Sequence, residues 1–210
     1  MNIFLAGDST MQTYNESHKP QAGWGQFIQE YFDESAYTFF NHAIGGRSSK
    51  SFIEEGRLDR ILDEIQKDDL LIVQMGHNDS TKQRPERYTE PFTSYKQYMK
   101  QYVEKARNVG AIPILITPVG RLHIVDGQYV NDFPDYCKVL ELIAQEEKVE
   151  LVDLNTISLQ AFQDRTKEEV ESYFMISVNG TDCTHFTEKG AKEIAKIVAN
   201  ELKKLSYFHN

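Results

Sequence analysis

The sequence predicts an α/β fold around a five-stranded, mostly parallel sheet, and three observations lead there. Five short apolar runs of strand length recur along the chain: "NIFLA" (2–6), "YTFFNHAI" (37–44), "LLIVQM" (70–75), "IPILIT" (112–117) and "VELVDL" (149–154). Segments with helical spacing lie between them, an order that indicates βαβ units and a sheet covered on both faces. The first three runs each end in glycine followed by polar side chains, the chemistry that βα turns and helix caps prefer.

The first strand, 2–6, runs into Gly7-Asp8-Ser9-Thr10, and a helix is expected over 24–32. The second strand, 37–44, runs into Gly45-Gly46-Arg47-Ser48-Ser49, with a helix expected over 52–66. The third, 70–75, runs into Gly76-His77-Asn78-Asp79. From Ser94 to Gly110, Tyr95, Tyr98, Met99, Tyr102, Val103, Ala106 and Val109 make an apolar stripe, with Ser94 as N-cap and Gly110 as stop. The fourth strand, 112–117, precedes a helix over 134–147, and the fifth is 149–154. A last helix, Thr187 to Leu205, sets Ala191, Ala195, Val198, Leu202 and Leu205 on one face. The polar stretches near 79–93 and 120–135 read as long loops, which in compact domains are more often functional than idle. No repeat or linker interrupts the 210 residues, so 1–210 is read as one domain.

Composition narrows the function classes. A net charge of −9 repels phosphate backbones, so nucleic acid is not an expected partner. No apolar run approaches the ~20 residues needed to span a bilayer, so no membrane role is expected. "MNIFLAGDST" lacks the basic stretch and length of a signal peptide. Cys137 and Cys183 are too few for a disulfide framework and are read as packing residues. Together these place the expected location in the cytoplasm, with oligomeric state left open.

Several chemistries are excluded by motif. The stretch "GDSTMQ" is not a dinucleotide fingerprint, and no phosphate-binding P-loop or G-x-S-x-G elbow occurs. Six scattered histidines and two distant cysteines give no metal-ligand spacing, so no metal or cofactor is expected. Acyl transfer remains. A serine hydroxyl needs an adjacent base, usually histidine, itself oriented by a carboxylate. The segment "NGTDCTHFTEKGA" sets Asp182 three residues before His185, a spacing that lets the carboxylate accept from one imidazole nitrogen while the other faces outward. Taken alone, an Asp-x-x-His is more often a cap beside a surface histidine, and a Gly-Asp-Ser-Thr cluster is more often a turn.

Four segments in order change that weighting. "GDST", the glycines of "GGRSS", "GHND" and "DCTHFT" resemble the four blocks of the SGNH (GDSL-type) hydrolases and span residues 7 to 187. The resemblance implies a flavodoxin-like three-layer α/β/α sandwich without a separate lid. It implies Ser9 as nucleophile, His185 as general base and then acid, and Asp182 as the group that orients it. It also implies an oxyanion hole made of the Ser9 N–H, a backbone N–H of the second block and the Asn78 amide. Gly45 and Gly46 both fit the second position; Gly46, directly before Arg47-Ser48, is preferred. Within the superfamily, "AGDSTM", "GWGQ", "NHAIGGRSSKSF", "TPVGR" and "THFTEKGA" look closest to rhamnogalacturonan acetylesterases. With no export signal in view, acetylated oligosaccharides taken up by the cell are the expected substrate rather than the intact polymer.

Four further residues are candidates for substrate contact. Arg47 and Arg121 stand on loops at the expected site edge, where they would offset the acidic field against an anionic sugar, although loop arginines usually pair with neighbouring acids. Trp24, the only tryptophan, either stacks on a sugar ring or staples the first helix to the sheet. His77 is either a substrate contact or a loop brace. The alternatives to a pectic acetylesterase are the same machinery on another ester (acetylxylan, another acetylated sugar, a lysophospholipid or a thioester) and a carbohydrate-binding protein whose catalysis is lost.

Overall fold

A computed structural model describes residues 1–209. The strands in chain order are β1 (Asn2–Gly7), β2 (Gln21–Ala22), β3 (Thr38–Asn41), β4 (Leu70–Gln74), β5 (Ile112–Ile116), β6 (Ile124–Val125), β7 (Gln128–Tyr129), β8 (Glu150–Val152) and β9 (Phe186–Thr187). The helices are α1 (Ser49–Glu54), α2 (Arg57–Glu64), α3 (Lys96–Asn108), α4 (Pro134–Glu147), α5 (Leu154–Gln163), α6 (Lys167–Glu171), α7 (Ile176–Asn179) and α8 (Glu188–Leu202).

The central sheet is five-stranded with order β3-β1-β4-β5-β8, and every neighbouring pair in it is parallel. All five expected runs supply its strands. Interior strands buried on both faces read as continuous apolar runs, which is why "LLIVQ" is buried at every position. Alternate side chains feed two cores. Ile3, Leu5, Ile72, Ile114 and Ile116 pack with α8 and α5 on one face. Phe4, Ala6, Leu71, Val73 and Leu115 pack with α1 to α4 on the other. Each large aliphatic side chain so buried contributes about 1.5–3 kcal/mol. Helices on both faces of this sheet make the expected three layers. No helix among the described residues is long and apolar enough to cross a membrane.

The chain leaves β1 for one side of the sheet (β3) and then crosses to the other (β4). The carboxyl ends of β1, β3 and β4 therefore flank the topological switch point, where open α/β sheets bind their ligands. Parallel register aligns these ends: Leu5 lies opposite Asn41, and Gly7 opposite Gln74.

Several elements differ from expectation. Residues 24–32 form two short 3₁₀ turns, Trp24–Gln26 and Ile28–Tyr31, because the Trp24 N–H bonds outward to the Thr10 carbonyl and Gly25 packs against the Met11 carbonyl. The expected helix 52–66 is two, α1 and α2, divided at Gly56 in the left-handed region (φ 68). Ser94 does not cap α3. A π-turn, Pro91–Tyr95, leads into that helix, and the Ser94 hydroxyl accepts the Glu90 N–H instead. Gly110 does follow its end with φ 82. The last run contributes only 150–152 to the sheet, since the Asp153 carboxylate caps α5, a helix not foreseen. Thr187 caps α8 through the Gly190 N–H. Within the loop 120–135, β6 and β7 pair around Asp126-Gly127, both at positive φ, the pattern of a tight hairpin turn.

Candidate active site

Ser9 follows β1 in a turn closed by the Asp8 carbonyl, which accepts the N–H groups of Met11 and Gln12 at 3.2 and 3.0 Å. A buried polar chain fixes this turn. The Asp8 carboxylate accepts the Thr10 N–H and hydroxyl, both at 2.9 Å. Thr10 Oγ1 accepts from Gln74 Nε2 (2.7 Å), and Gln74 Oε1 accepts from Trp24 Nε1 (3.0 Å). From the open side, the Tyr14 hydroxyl donates to the Ser9 carbonyl at 3.0 Å. Burial pushes that phenol up to about 12, so it stays a donor at neutral pH.

His185 is brought to this turn from the far end of the chain. Its segment is held by β9 pairing with β2 and by the Met175 N–H on the His185 carbonyl (2.8 Å). His185 Nε2 lies 3.0 Å from Ser9 Oγ, and Nδ1 lies 2.7 Å from Asp182 Oδ2. The other carboxylate oxygen, Oδ1, accepts the N–H groups of Thr184 (2.9 Å) and His185 (3.0 Å). Partial burial raises the Asp182 carboxyl, but the His185 and Thr184 N–H donors and the imidazole outweigh it and hold it below its ordinary value. It therefore stays an anion that fixes Nδ1 as the protonated nitrogen and leaves Nε2 free to accept from Ser9.

The second and third loops converge on the same spot. The Gly45 N–H is taken by Gln12 Oε1, and a Cβ on Gly45 would meet that oxygen at 2.9 Å and Ser9 Cβ at 3.4 Å. Close approach thus demands glycine there. Gly46 sits in the left-handed region (φ 78), and among the described residues its N–H has no hydrogen-bond partner. Asn78 uses one amide hydrogen on the Arg47 carbonyl (2.9 Å) and lines the cavity beside Ser9, with a second hydrogen to give. The cavity measures about 630 Å³, and Ser9, Gly46, Asn78 and His185 all border it.

Of the substrate-contact candidates, Arg121 borders this cavity, its guanidinium 4.8 Å above the Phe133 ring. Three others are placed differently. Trp24 is fully buried under the Ser9 turn and reaches no sugar; of the two alternatives, it staples. Arg47 turns away from the cavity to Glu55 (3.1 Å) and to the Gly45 carbonyl (2.9 Å). His77 touches the cavity wall but is 4% exposed and works as a brace. Its Nε2 donates to the Val119 carbonyl (3.0 Å), and its Nδ1 lies 3.2 Å from Asp8 Oδ2, at ion-pair distance but outside hydrogen-bond geometry. Burial raises the Asp8 carboxyl, yet the His77 charge and the Thr10 donors more than offset it, and it lies below its ordinary value.

Other residues of the site are not singled out by the sequence pattern. Arg87 and Thr81 reach the cavity from the 79–93 loop, and Tyr14 and Gln12 from the turn after Ser9. Asp79, next to Asn78, is fully buried and pinned by the Ser49 N–H and hydroxyl and the Thr89 hydroxyl. Only the hydrophobic-run-then-polar rule pointed toward it. Both cysteines are free thiols; Cys137 is buried, and burial pushes it up to about 12. Among the described residues, no three His, Cys, Asp or Glu side chains are grouped to hold a metal ion.

Comparison with known proteins places the chain in a family. Residues 3–198 match the family model described as GDSL-like lipase/acylhydrolase. The chain is 56% identical to the probable rhamnogalacturonan acetylesterase YesY of Bacillus subtilis, over 97% of this chain and 93% of that protein. It is 34% identical to the rhamnogalacturonan acetylesterase RhgT of the same organism, over 98% and 90% respectively. The crystal structure of Bacillus subtilis YxiM superposes with a TM-score of 0.86 at 31% identity, covering 97% of this chain and 56% of that one. A family match over nearly the whole length, with this serine, histidine and aspartate in contact, has one reading: the chain belongs to the GDSL-like lipase/acylhydrolase family, the SGNH hydrolases.

Proposed function

We propose that the protein is a serine esterase that removes acetyl groups from carbohydrate, its substrates being oligosaccharides of rhamnogalacturonan. The observation that carries the chemistry is the unbroken relay from Ser9 Oγ through the His185 ring to the Asp182 carboxylate, at 3.0 and 2.7 Å. The names of YesY and RhgT support the substrate, at 56% and 34% identity over nearly the whole chain.

In this reading, Ser9 Oγ attacks the acetyl carbonyl as its proton passes to His185 Nε2. Negative charge then develops on the carbonyl oxygen, within the reach of the Ser9 and Gly46 N–H groups and the Asn78 amide. His185 returns the proton to the departing sugar hydroxyl, leaving acetyl-Ser9. It next draws a proton from a water whose oxygen attacks the acyl carbonyl, then returns that proton to Ser9 Oγ as the Ser9–acyl bond breaks and acetate leaves. Asp182 keeps its charge throughout and stabilises the imidazolium that forms twice per turnover. The test is acetate release from acetylated rhamnogalacturonan oligosaccharides and from acetylated xylo-oligosaccharides. The reading expects turnover of the first in preference to the second and none by Ser9→Ala; equal rates on both would move the substrate to acetylated sugars in general.

A further inference from the structure

Three half-buried arginines of this chain, Arg47, Arg57 and Arg165, each lie within ion-pair distance of a glutamate. Arg87 and Arg121 are also half-buried, yet among the described residues neither has an acidic partner at that distance. The Nε of each is buried with no hydrogen-bond partner. Taking a guanidinium from water without a counter-charge is costly, and fold stability gives no return for it. Burial lowers Arg121 below its ordinary value, despite the acids Asp132, Asp8 and Asp182 at longer range.

Both arginines border the one cavity that holds Ser9. Arg87 Nη1 lies 3.7 Å from where a Cβ on Gly46 would stand, next to the acyl site. Arg121 lies over Phe133, on the wall shared with His77.

Each is held on a loop tied down at several points. The loop of Arg87 is anchored by the Thr89 N–H on the Asp79 carbonyl (3.1 Å), and by the Tyr136 hydroxyl on the Thr89 carbonyl (2.7 Å). The loop of Arg121 is anchored by the Gly120 N–H on Ser158 Oγ and the Leu122 N–H on the Cys183 carbonyl, both at 3.0 Å. That second bond joins the Arg121 loop to the segment that carries Asp182 and His185. Positive charge in the cavity is thus preorganised, on a protein whose net charge is −9.

We propose that Arg87 and Arg121 bind the carboxylate of a uronate residue of the substrate, so that acetyl esters on acidic sugars are selected over those on neutral ones. This rests on the carbohydrate-acetylesterase reading above. Guanidinium groups suit the task because their planar N–H fork matches a carboxylate's two oxygens, and charge-assisted bonds of this kind are the strong ones. Selection also operates by exclusion. A neutral sugar in this cavity leaves two desolvated cations unpaired, so the site penalises it as well as rewarding the acid.

The experiment compares acetate release from acetylated rhamnogalacturonan oligosaccharides with release from the same material after its carboxylates are converted to methylamides. Wild-type enzyme should favour the acid form by about tenfold to a hundredfold in kcat/KM, the return of one or two charge-assisted bonds. That ratio should shrink in Arg87→Gln and Arg121→Gln and approach one in the double variant. Arg87→Lys and Arg121→Lys should keep part of it, having the charge without the fork. A ratio taken within each enzyme is insensitive to partial misfolding, which lowers both rates together. Equal wild-type rates on the two forms overturn the clamp and leave the esterase standing. So do variants that lose both rates in proportion, which would assign the arginines to the ester or to folding. No acetate from either form overturns the carbohydrate-acetylesterase reading and the clamp with it.

Discussion

Ser9 Oγ and His185 Nε2 meet at 3.0 Å although 176 residues of chain separate them. The contact exists because two unrelated anchors converge. The carboxyl end of β1 presents the serine, and the β2–β9 pairing, with the Ile176 N–H on the Asp182 carbonyl (2.7 Å), presents the histidine. Each motif is thus held by partners outside it: β3 and β4 beside β1, and Gln21, Ala22 and Ile176 against the segment 182–187.

The three side chains should fail as a unit. Ser9→Ala and His185→Ala are each expected to lower kcat for ester hydrolysis by about 10⁴-fold or more, and the double variant should be little worse than either single. Asp182→Asn should also cost about 10⁴-fold, because the new amide would present N–H to Nδ1 and favour the wrong tautomer. Steady-state kcat of the single and double variants on p-nitrophenyl acetate checks this. Full additivity of the two single losses would mean that serine and histidine act independently.

Asn78 gives a prediction of different shape. Asn78→Ala removes a donor that matters only once the carbonyl oxygen carries charge, so kcat should fall and KM should barely move. The expected loss is about 2.7–4 kcal/mol of transition-state stabilisation, or about 10²–10³ in rate. Steady-state kinetics on p-nitrophenyl acetate separates the two parameters. A rise in KM at unchanged kcat would place Asn78 in ground-state binding instead.

Much of this architecture is legible in residue types, and the exceptions have physical causes. The β4 and β5 runs stand out because strands buried on both faces need apolar residues at nearly every position. The triad is legible because nucleophile, base and orienting acid each need a particular chemistry in a loop. Arg87 is not. "PERY" is an ordinary polar loop sequence, and only the bonds of Thr89 and Tyr136 turn it into a cavity wall. Arg47 occupies the expected loop, but Glu55, eight residues on, captures its guanidinium. The helix pattern over 24–32 fails because packing of Gly23 and Gly25 on the Met11–Gln12 backbone overrides local spacing. Asp126-Gly127 is a hairpin signal by residue type, and the structure forms that hairpin inside the stretch whose polarity predicts a long loop.

Trp24 tests the distinction between a sugar platform and a staple. Trp24→Phe keeps an aromatic ring in the core but removes the N–H that Gln74 Oε1 accepts. A buried acceptor left without its donor costs about 1–3 kcal/mol. The urea midpoint should fall accordingly, while KM for acetylated oligosaccharide stays at the wild-type value. A large rise in KM with no change in midpoint would return Trp24 to the substrate.

Asp79 gives the site a pH-dependent weakness. Burial pushes its carboxyl up from 3.8 to about 6, although the Ser49 and Thr89 donors pull the other way. Between those values, the folded chain keeps a proton that the unfolded chain has already released. The unfolded state then binds fewer protons, so this group's contribution to stability falls as pH rises from about 4 to 6. At 1.36 kcal/mol per unit, the loss approaches about 3 kcal/mol. Asp8 and Asp182 act in the opposite sense. Their folded carboxyls lie below the ordinary value, so their stabilisation is present above it and is lost as pH falls. Asp79→Asn removes only the first effect. It retains one carbonyl oxygen to accept from Ser49 and Thr89 but carries no charge to desolvate. Urea unfolding at pH 4 and pH 6.5 should therefore show the variant's stability relative to wild type improving as pH rises, by up to about 3 kcal/mol. A difference that stays constant between the two pH values would mean that Asp79 is ionised in the folded protein throughout.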